Sequence, residues 1–89
     1  MTAASDPSIT VYGTGWCSDC RRSRAVLDGE DVAYRYVDIE AEPEAADYVR
    51  RTNGRTNVPY IVFGDGSTQT EPSDLELRER LVALELIPS

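Results

Sequence analysis

Eighty-nine residues, 40% hydrophobic and 28% charged, suffice for one folded domain and not for two ordinary cores. Sixteen acidic residues against nine basic ones give a net charge of −7, and every basic residue is an arginine. With no histidine and only Cys17 and Cys20, the chain has no His-based triad and cannot complete a four-ligand zinc site of cysteines and histidines alone. The acidic balance also argues against a nucleic-acid partner.

Residues 1–8 read as a short disordered arm. They lack the basic and apolar regions of a signal peptide, and no apolar run reaches membrane-span length. The expectation is a cytoplasmic protein, in a compartment where thiols are normally kept reduced. Residues 9–87 then read as a single domain. Ile9-Thr10-Val11-Tyr12 is rich in β-formers and bounded by Gly13 and Gly15, which predicts a strand. Helical spacing follows, with Cys20, Ser23, Val26 and Leu27 near one face and Gly29 as the expected C-terminal stop.

Ala33 to Ile39 alternates as a second strand. Glu42-Pro43 opens a second helix, with proline near the first helical position. Glu42 and Glu44 sit at its positive end and Arg50 and Arg51 at its negative end, before Asn53-Gly54 closes it. Tyr60-Ile61-Val62-Phe63 reads as a buried strand, Gly64-Asp65-Gly66 as a hairpin turn, and Ser67 to Glu71 as a polar edge strand. Ser73 with Glu76 forms a capping box for a last helix carrying Leu77, Leu81 and Leu84, which Pro88 is expected to stop. The predicted fold is α/β in the order β-α-β-α-β-β-α, beginning with a parallel β-α-β unit.

Cys17-Ser18-Asp19-Cys20 falls at the junction of the first strand and first helix. There the unpaired N–H groups and the helix dipole favour an anion. The thiolate is the nucleophile of disulfide exchange. Cys20, one turn deeper, is spaced to attack a mixed disulfide on Cys17 and release its partner. A structural disulfide, half of a metal site shared between two chains, and two inert core cysteines are the competing readings. The strand-helix setting favours redox chemistry over all three. Trp16, just before the pair, reads either as a half-buried aromatic cap or as a contact face for a partner. Pro59, directly before the apolar strand, reads either as strand punctuation or as a cis bond turning the backbone toward the cysteines.

These residues resemble the thioredoxin-fold oxidoreductases, and within them the glutaredoxin and mycoredoxin group. The resemblance runs from Ile9 to about Ile87. It rests on Val11-Tyr12-Gly13-Thr14 leading to Trp16-Cys17-Ser18-Asp19-Cys20, then Val37-Asp38-Ile39-Glu40, Val58-Pro59 and Ser73-Asp74-Leu75. It implies a thioredoxin fold, with a four-stranded mixed sheet and helices on both faces. It implies Cys17 as nucleophile, Cys20 as resolving thiol, Pro59 as the proline facing them, and Val58 as the backbone partner of a bound thiol. Ser73 and Asp74 match positions that hold the γ-glutamyl end of glutathione, and Trp16 would flank the site.

The sequence departs from glutaredoxins at three places. Thr14 stands where a lysine is common, Thr70-Glu71-Pro72 where two glycines are common, and Thr56 where an arginine is frequent. The departures lean toward mycoredoxins, whose co-substrate mycothiol is a sugar-based thiol without the glutathione carboxylates. The implied function is reduction of mixed disulfides between proteins and a low-molecular-weight thiol, mycothiol before glutathione. No tightly bound cofactor is expected. The expected form is a monomer recycled by thiol or by a thioredoxin or mycothione reductase system. The alternatives are an electron donor like the NrdH redoxins, linked to thioredoxin reductase, or a non-catalytic adaptor, including a metal-sharing dimer.

Overall fold

A computed structural model describes residues 8–88, so the expected N-terminal arm lies, apart from Ser8, outside the described residues. The elements run β1 (Thr10–Gly13), α1 (Ser18–Gly29), β2 (Arg35–Asp38), α2 (Pro43–Asn53), β3 (Tyr60–Val62), β4 (Thr68–Thr70) and α3 (Asp74–Ala83). The element order is the predicted one. β2 and β4 are shorter than the sequence suggested, with ladder pairs at Arg35–Asp38 and Thr68–Thr70.

The sheet order is β2-β1-β3-β4. β1 pairs parallel with β2 and antiparallel with β3, and β4 closes the edge antiparallel to β3. Strand alternation sends neighbouring residues to opposite faces. Val11 and Ile61, partners across β1 and β3, join Val26 and Leu27 of α1 and Leu77 and Leu81 of α3 in one core. On the other face, Tyr12 and its partner Tyr60 gather with Ile39 and with Val49 of α2. The sheet is therefore covered on both sides, α1 and α3 on one and α2 on the other.

The expected starts of α2 and α3 are present. Pro43 begins α2 at the first helical turn, and Ser73 with Glu76 forms a complete capping box on α3. Two helix ends differ from expectation. Gly29 lies inside α1 rather than beyond it, and Asp31 takes the left-handed conformation at φ 60°. The Asp31 N–H then reaches the Asp28 carbonyl and the Val32 N–H reaches the Leu27 carbonyl. This pair of hydrogen bonds satisfies two carbonyls that the helix end leaves open. Glu85 repeats it after α3, at φ 60°, with its N–H on Val82 and the Leu86 N–H on Leu81. Pro88 is thus not the stop for α3, because the helix has already turned out at Glu85.

Candidate functional site

The strand-to-helix turn after β1 delivers Cys17 to the N-cap of α1. Its backbone is extended, with φ −84° and ψ 112°, and its carbonyl accepts the first helical bond from the Arg21 N–H. Its Sγ accepts the Cys20 N–H at 3.1 Å. This is the geometry by which a serine or aspartate oxygen caps a helix, with sulfur in the oxygen's place. An anion on Sγ there lies in the field of the unpaired N–H groups of the first turn.

Cys20 is 1% exposed and Cys17 7% exposed, and both are free thiols. Cys20 fits under β1 only because Gly13 carries no side chain. A Cβ at Gly13 would stand 2.8 Å from the Cys20 Sγ. Burial pushes the Cys20 thiol up to about 12. The hydrogen bond to Cys17 and the charges of Cys17 and Asp19 add to the rise, while a backbone hydrogen bond from Thr14 opposes it. Cys20 therefore holds its proton across neutral pH.

Asp19 lies between the cysteines, and its carboxylate is drawn away by Arg22, whose guanidinium stands 2.6 Å off. Arg22 also reaches Asp74 at 3.6 Å, tying the starts of α1 and α3 together. Arg21 donates to the Gly15 carbonyl at 2.9 Å and braces the turn before Cys17.

A groove of about 450 Å³ opens beside Cys17, lined by Trp16, Cys17, Ser18, Asp19, Thr56, Asn57, Val58 and Glu71. Trp16 is 69% exposed, so it is not the half-buried cap that was one of its readings. Its indole N–H donates to Glu40 Oε2 at 2.9 Å, which holds the ring at the rim. The Val58-Pro59 peptide bond is cis, and the Val58 carbonyl oxygen lies 3.9 Å from the Cys17 Sγ. Pro59 is buried behind it.

Ser73 and Asp74 are not among the residues lining this groove. The Ser73 hydroxyl accepts the Glu76 N–H at 3.1 Å, the Glu76 carboxylate accepts the Ser73 N–H at 2.8 Å, and Asp74 faces Arg22. Thr56, Asn57 and Glu71 complete the lining, and the sequence reading does not assign them to the site. Thr56 and Asn57 carry a simple signal, since they directly precede Val58-Pro59. Glu71 carries one only through strand register. Tyr60 pairs with Thr70, which sets residue 71 opposite residue 59, and the Glu71 N–H bonds the Pro59 carbonyl at 2.8 Å.

Among the described residues, no group of three or more His, Cys, Asp or Glu side chains is placed to hold a metal ion. No helix among them is long and apolar enough to cross a membrane.

Residues 9–67 match the sequence profile of the glutaredoxin family. A protein of Mycobacterium tuberculosis with a provisional glutaredoxin name is 41% identical over 78 residues, covering 86% of this chain and 93% of that one. Mycoredoxin 1 of Corynebacterium glutamicum is 33% identical over 78 residues, covering 86% and 96%. Among solved structures, the glutaredoxin of Archaeoglobus fulgidus superposes with a TM-score of 0.72 over 82% of this chain and 84% of that one, at 24% identity. A two-cysteine helix start on a thioredoxin-like sheet and a family match across most of the chain agree: this protein belongs to the glutaredoxin family and is a thiol–disulfide oxidoreductase.

Proposed function

We propose that the protein reduces mixed disulfides between proteins and a low-molecular-weight thiol, with mycothiol preferred to glutathione, in the cytoplasm. The observation that carries this reading is the capped Cys17 Sγ opening into a groove whose lining holds Asp19 and Glu71 and no arginine.

Cys17 is the nucleophile. Its thiolate attacks the small-thiol sulfur of the mixed disulfide. The old S–S bond breaks, the protein thiolate leaves with the electron pair and takes a proton, and Cys17 is left bonded to the small thiol. Two routes clear it. A second small thiol attacks the adduct, giving the symmetric small disulfide and free Cys17. Otherwise Cys20 loses its proton and attacks the Cys17 sulfur. The bond from Cys17 to the small thiol breaks, and the small thiolate leaves with the electron pair and takes up a proton. The internal disulfide so formed is reopened by a reductase or two small thiols.

Cys20 suits the second role because it waits as a thiol. Once Cys17 is in a disulfide, its negative charge no longer holds the Cys20 proton in place. Trp16 covers one side of the adduct and the Val58 backbone offers polar groups to it.

The thiol preference follows from charge. Glutathione carries carboxylates, and like charges brought together without a cation are unfavourable. The chain has no lysine, and its groove offers none of the cations that would receive them. A neutral, hydroxyl-rich thiol avoids that conflict and can hydrogen-bond Asn57, Ser18 and the carboxylates. The similarity to a mycoredoxin supports the same choice.

The test compares initial rates on one model protein carrying either mycothiol or glutathione in mixed disulfide, each coupled to its own thiol and reductase. The expected result is faster turnover of the mycothiol adduct by about tenfold or more. Equal rates, or faster deglutathionylation, would sink the preference, and no turnover of either would sink the reaction itself.

A further inference from the structure

Glu71 occupies an unusual position for a charged residue. It follows β4 with φ 50°, a left-handed backbone that a residue with a Cβ adopts at a cost. The hairpin register fixes this place, and the Glu71 main chain is bonded to Pro59. Its Oε2 accepts the Asn57 Nδ2–H at 2.8 Å. Glu71 thus grips both residues that flank Val58, and its carboxylate is set in the wall of the groove beside Cys17.

The carboxylates around the site are not equivalent. Asp19 is matched by Arg22 at 2.6 Å. Glu40 accepts the Trp16 indole and lies outside the groove lining. Glu71 meets only the neutral Asn57 amide, with no ion pair to an arginine among the described residues. Its charge is therefore the one left uncompensated where the group attached to an attacked sulfur must sit.

We propose that Glu71 is the residue that sets charge specificity, favouring disulfides whose departing or retained thiol carries a cation near sulfur and disfavouring those that carry a carboxylate. This rests on Cys17 being the attacking thiol, and it adds which residue discriminates and by what property. The same field would favour protein disulfides flanked by arginine or lysine.

The test uses the reduced full chain and three 2-pyridyl disulfides that differ only in the second thiol: cysteamine, 2-mercaptoethanol and 3-mercaptopropionate, which are cationic, neutral and anionic. Cys17 attacks the alkyl-bearing sulfur. The S–S bond breaks, a Cys17–S–S–alkyl bond forms, and pyridine-2-thiolate leaves with the electron pair and takes up a proton as the thione. The Cys17 sulfur is oxidised and the pyridyl sulfur reduced, so no further reactant is needed, and release of the thione gives the rate of the first step.

The expected order is cationic, then neutral, then anionic. E71Q keeps an oxygen for Asn57 and removes the charge, and it should shrink the cationic-to-anionic rate ratio by about three- to tenfold. That is the size of effect a unit charge exerts at several ångströms in a partly solvated site. E79Q, on the exposed face of α3, should leave the ratio unchanged. Raising the salt should shrink the wild-type ratio in the same direction.

An unchanged ratio in E71Q, or a wild-type ratio indifferent to salt, overturns the proposal while leaving the oxidoreductase reading intact. Failure of the wild type to release thione from any probe overturns that reading, and the charge proposal with it. A fall in all three rates by the same factor in E71Q would show that Glu71 serves only to position Asn57, and would also overturn it.

Discussion

The starts of α1 and α3 are built on one plan and put to different uses. In each, the N-cap side chain accepts the N–H three residues on at 3.1 Å: the Cys17 Sγ from Cys20, and the Ser73 Oγ from Glu76. In each, an aspartate sits in the first turn, and Arg22 reaches both. The difference lies at the third helical position. Glu76 reaches back to the Ser73 N–H and closes the box. Cys20 has no such reach and is buried beneath the sheet. At α3 the Ser73 and Glu76 side chains are engaged in capping the helix. At α1 the same acceptor position holds a polarisable sulfur at the edge of a groove, with a second sulfur behind it. In the proposed mechanism, the nucleophile is the acceptor of a helix cap.

The largest expected effect comes from turning the first cap into a copy of the second. Cys17→Ser keeps a hydroxyl acceptor for the Cys20 N–H, and serine is a good N-cap. Folding stability should stay within about 0.5 kcal/mol of the parent, read by urea unfolding. Reduction of a protein mixed disulfide should fall at least about 1,000-fold, because a hydroxyl cannot replace the thiolate in exchange. A stable variant that keeps a tenth of its turnover would show that Cys17 is only a cap.

A second contrast separates the two sulfurs themselves. At pH 8, iodoacetamide should add once per chain, at Cys17. Cys20 should react at least about 100-fold more slowly than in the urea-unfolded chain, since burial and a persistent proton both oppose the attack. Peptide mass spectrometry after timed quenching measures this. The sign of the linked stability change is fixed. The folded Cys20 thiol titrates at about 12 against an ordinary 9.0. Its contribution is fully present below pH 9 and is lost as pH rises toward 12, where the unfolded chain has already released the proton. Equal labelling of both cysteines in the folded chain would erase the distinction between a nucleophile at the groove and a resolving thiol packed beneath the sheet.

How much of this was legible beforehand depended on whether the signal was local. The capping box, Pro43 at the start of α2, the hairpin turn and the Cys17–Cys20 spacing are written within a few residues each, and all appear in the fold as expected. The helix ends were less legible. Asp31 and Glu85 take the left-handed position because two N–H groups must satisfy the closing carbonyls there, while Gly29 and Pro88 carried the obvious composition signal. Glu71 was legible as an odd residue but not as part of the groove, since only the pairing of Tyr60 with Thr70 brings it beside Pro59. Trp16 shows the opposite limit. A large aromatic beside a helix start suggested either partial burial or a contact face, and the ring is exposed with its polar edge on Glu40 in the loop after β2.

The smallest effect should come from weakening the second cap, and it is the one that sharpens the comparison most. Ser73→Ala removes the acceptor for the Glu76 N–H, which costs about 1 kcal/mol of stability. Ser73 stands outside the groove lining, and Asp74, beside it, is engaged by Arg22. Turnover of a mixed disulfide should therefore stay within about twofold at a temperature where the variant remains folded, with KM unchanged, because a cost of this size still leaves most of the chain native. If Ser73 also holds the small thiol, the way its position does in the glutaredoxins that this chain resembles, KM for the small-thiol adduct rises several-fold while the rate on a pyridyl disulfide of 2-mercaptoethanol does not. The two substrates together decide whether the second cap holds only a helix or also holds a ligand, and so whether one plan has been given two uses or three.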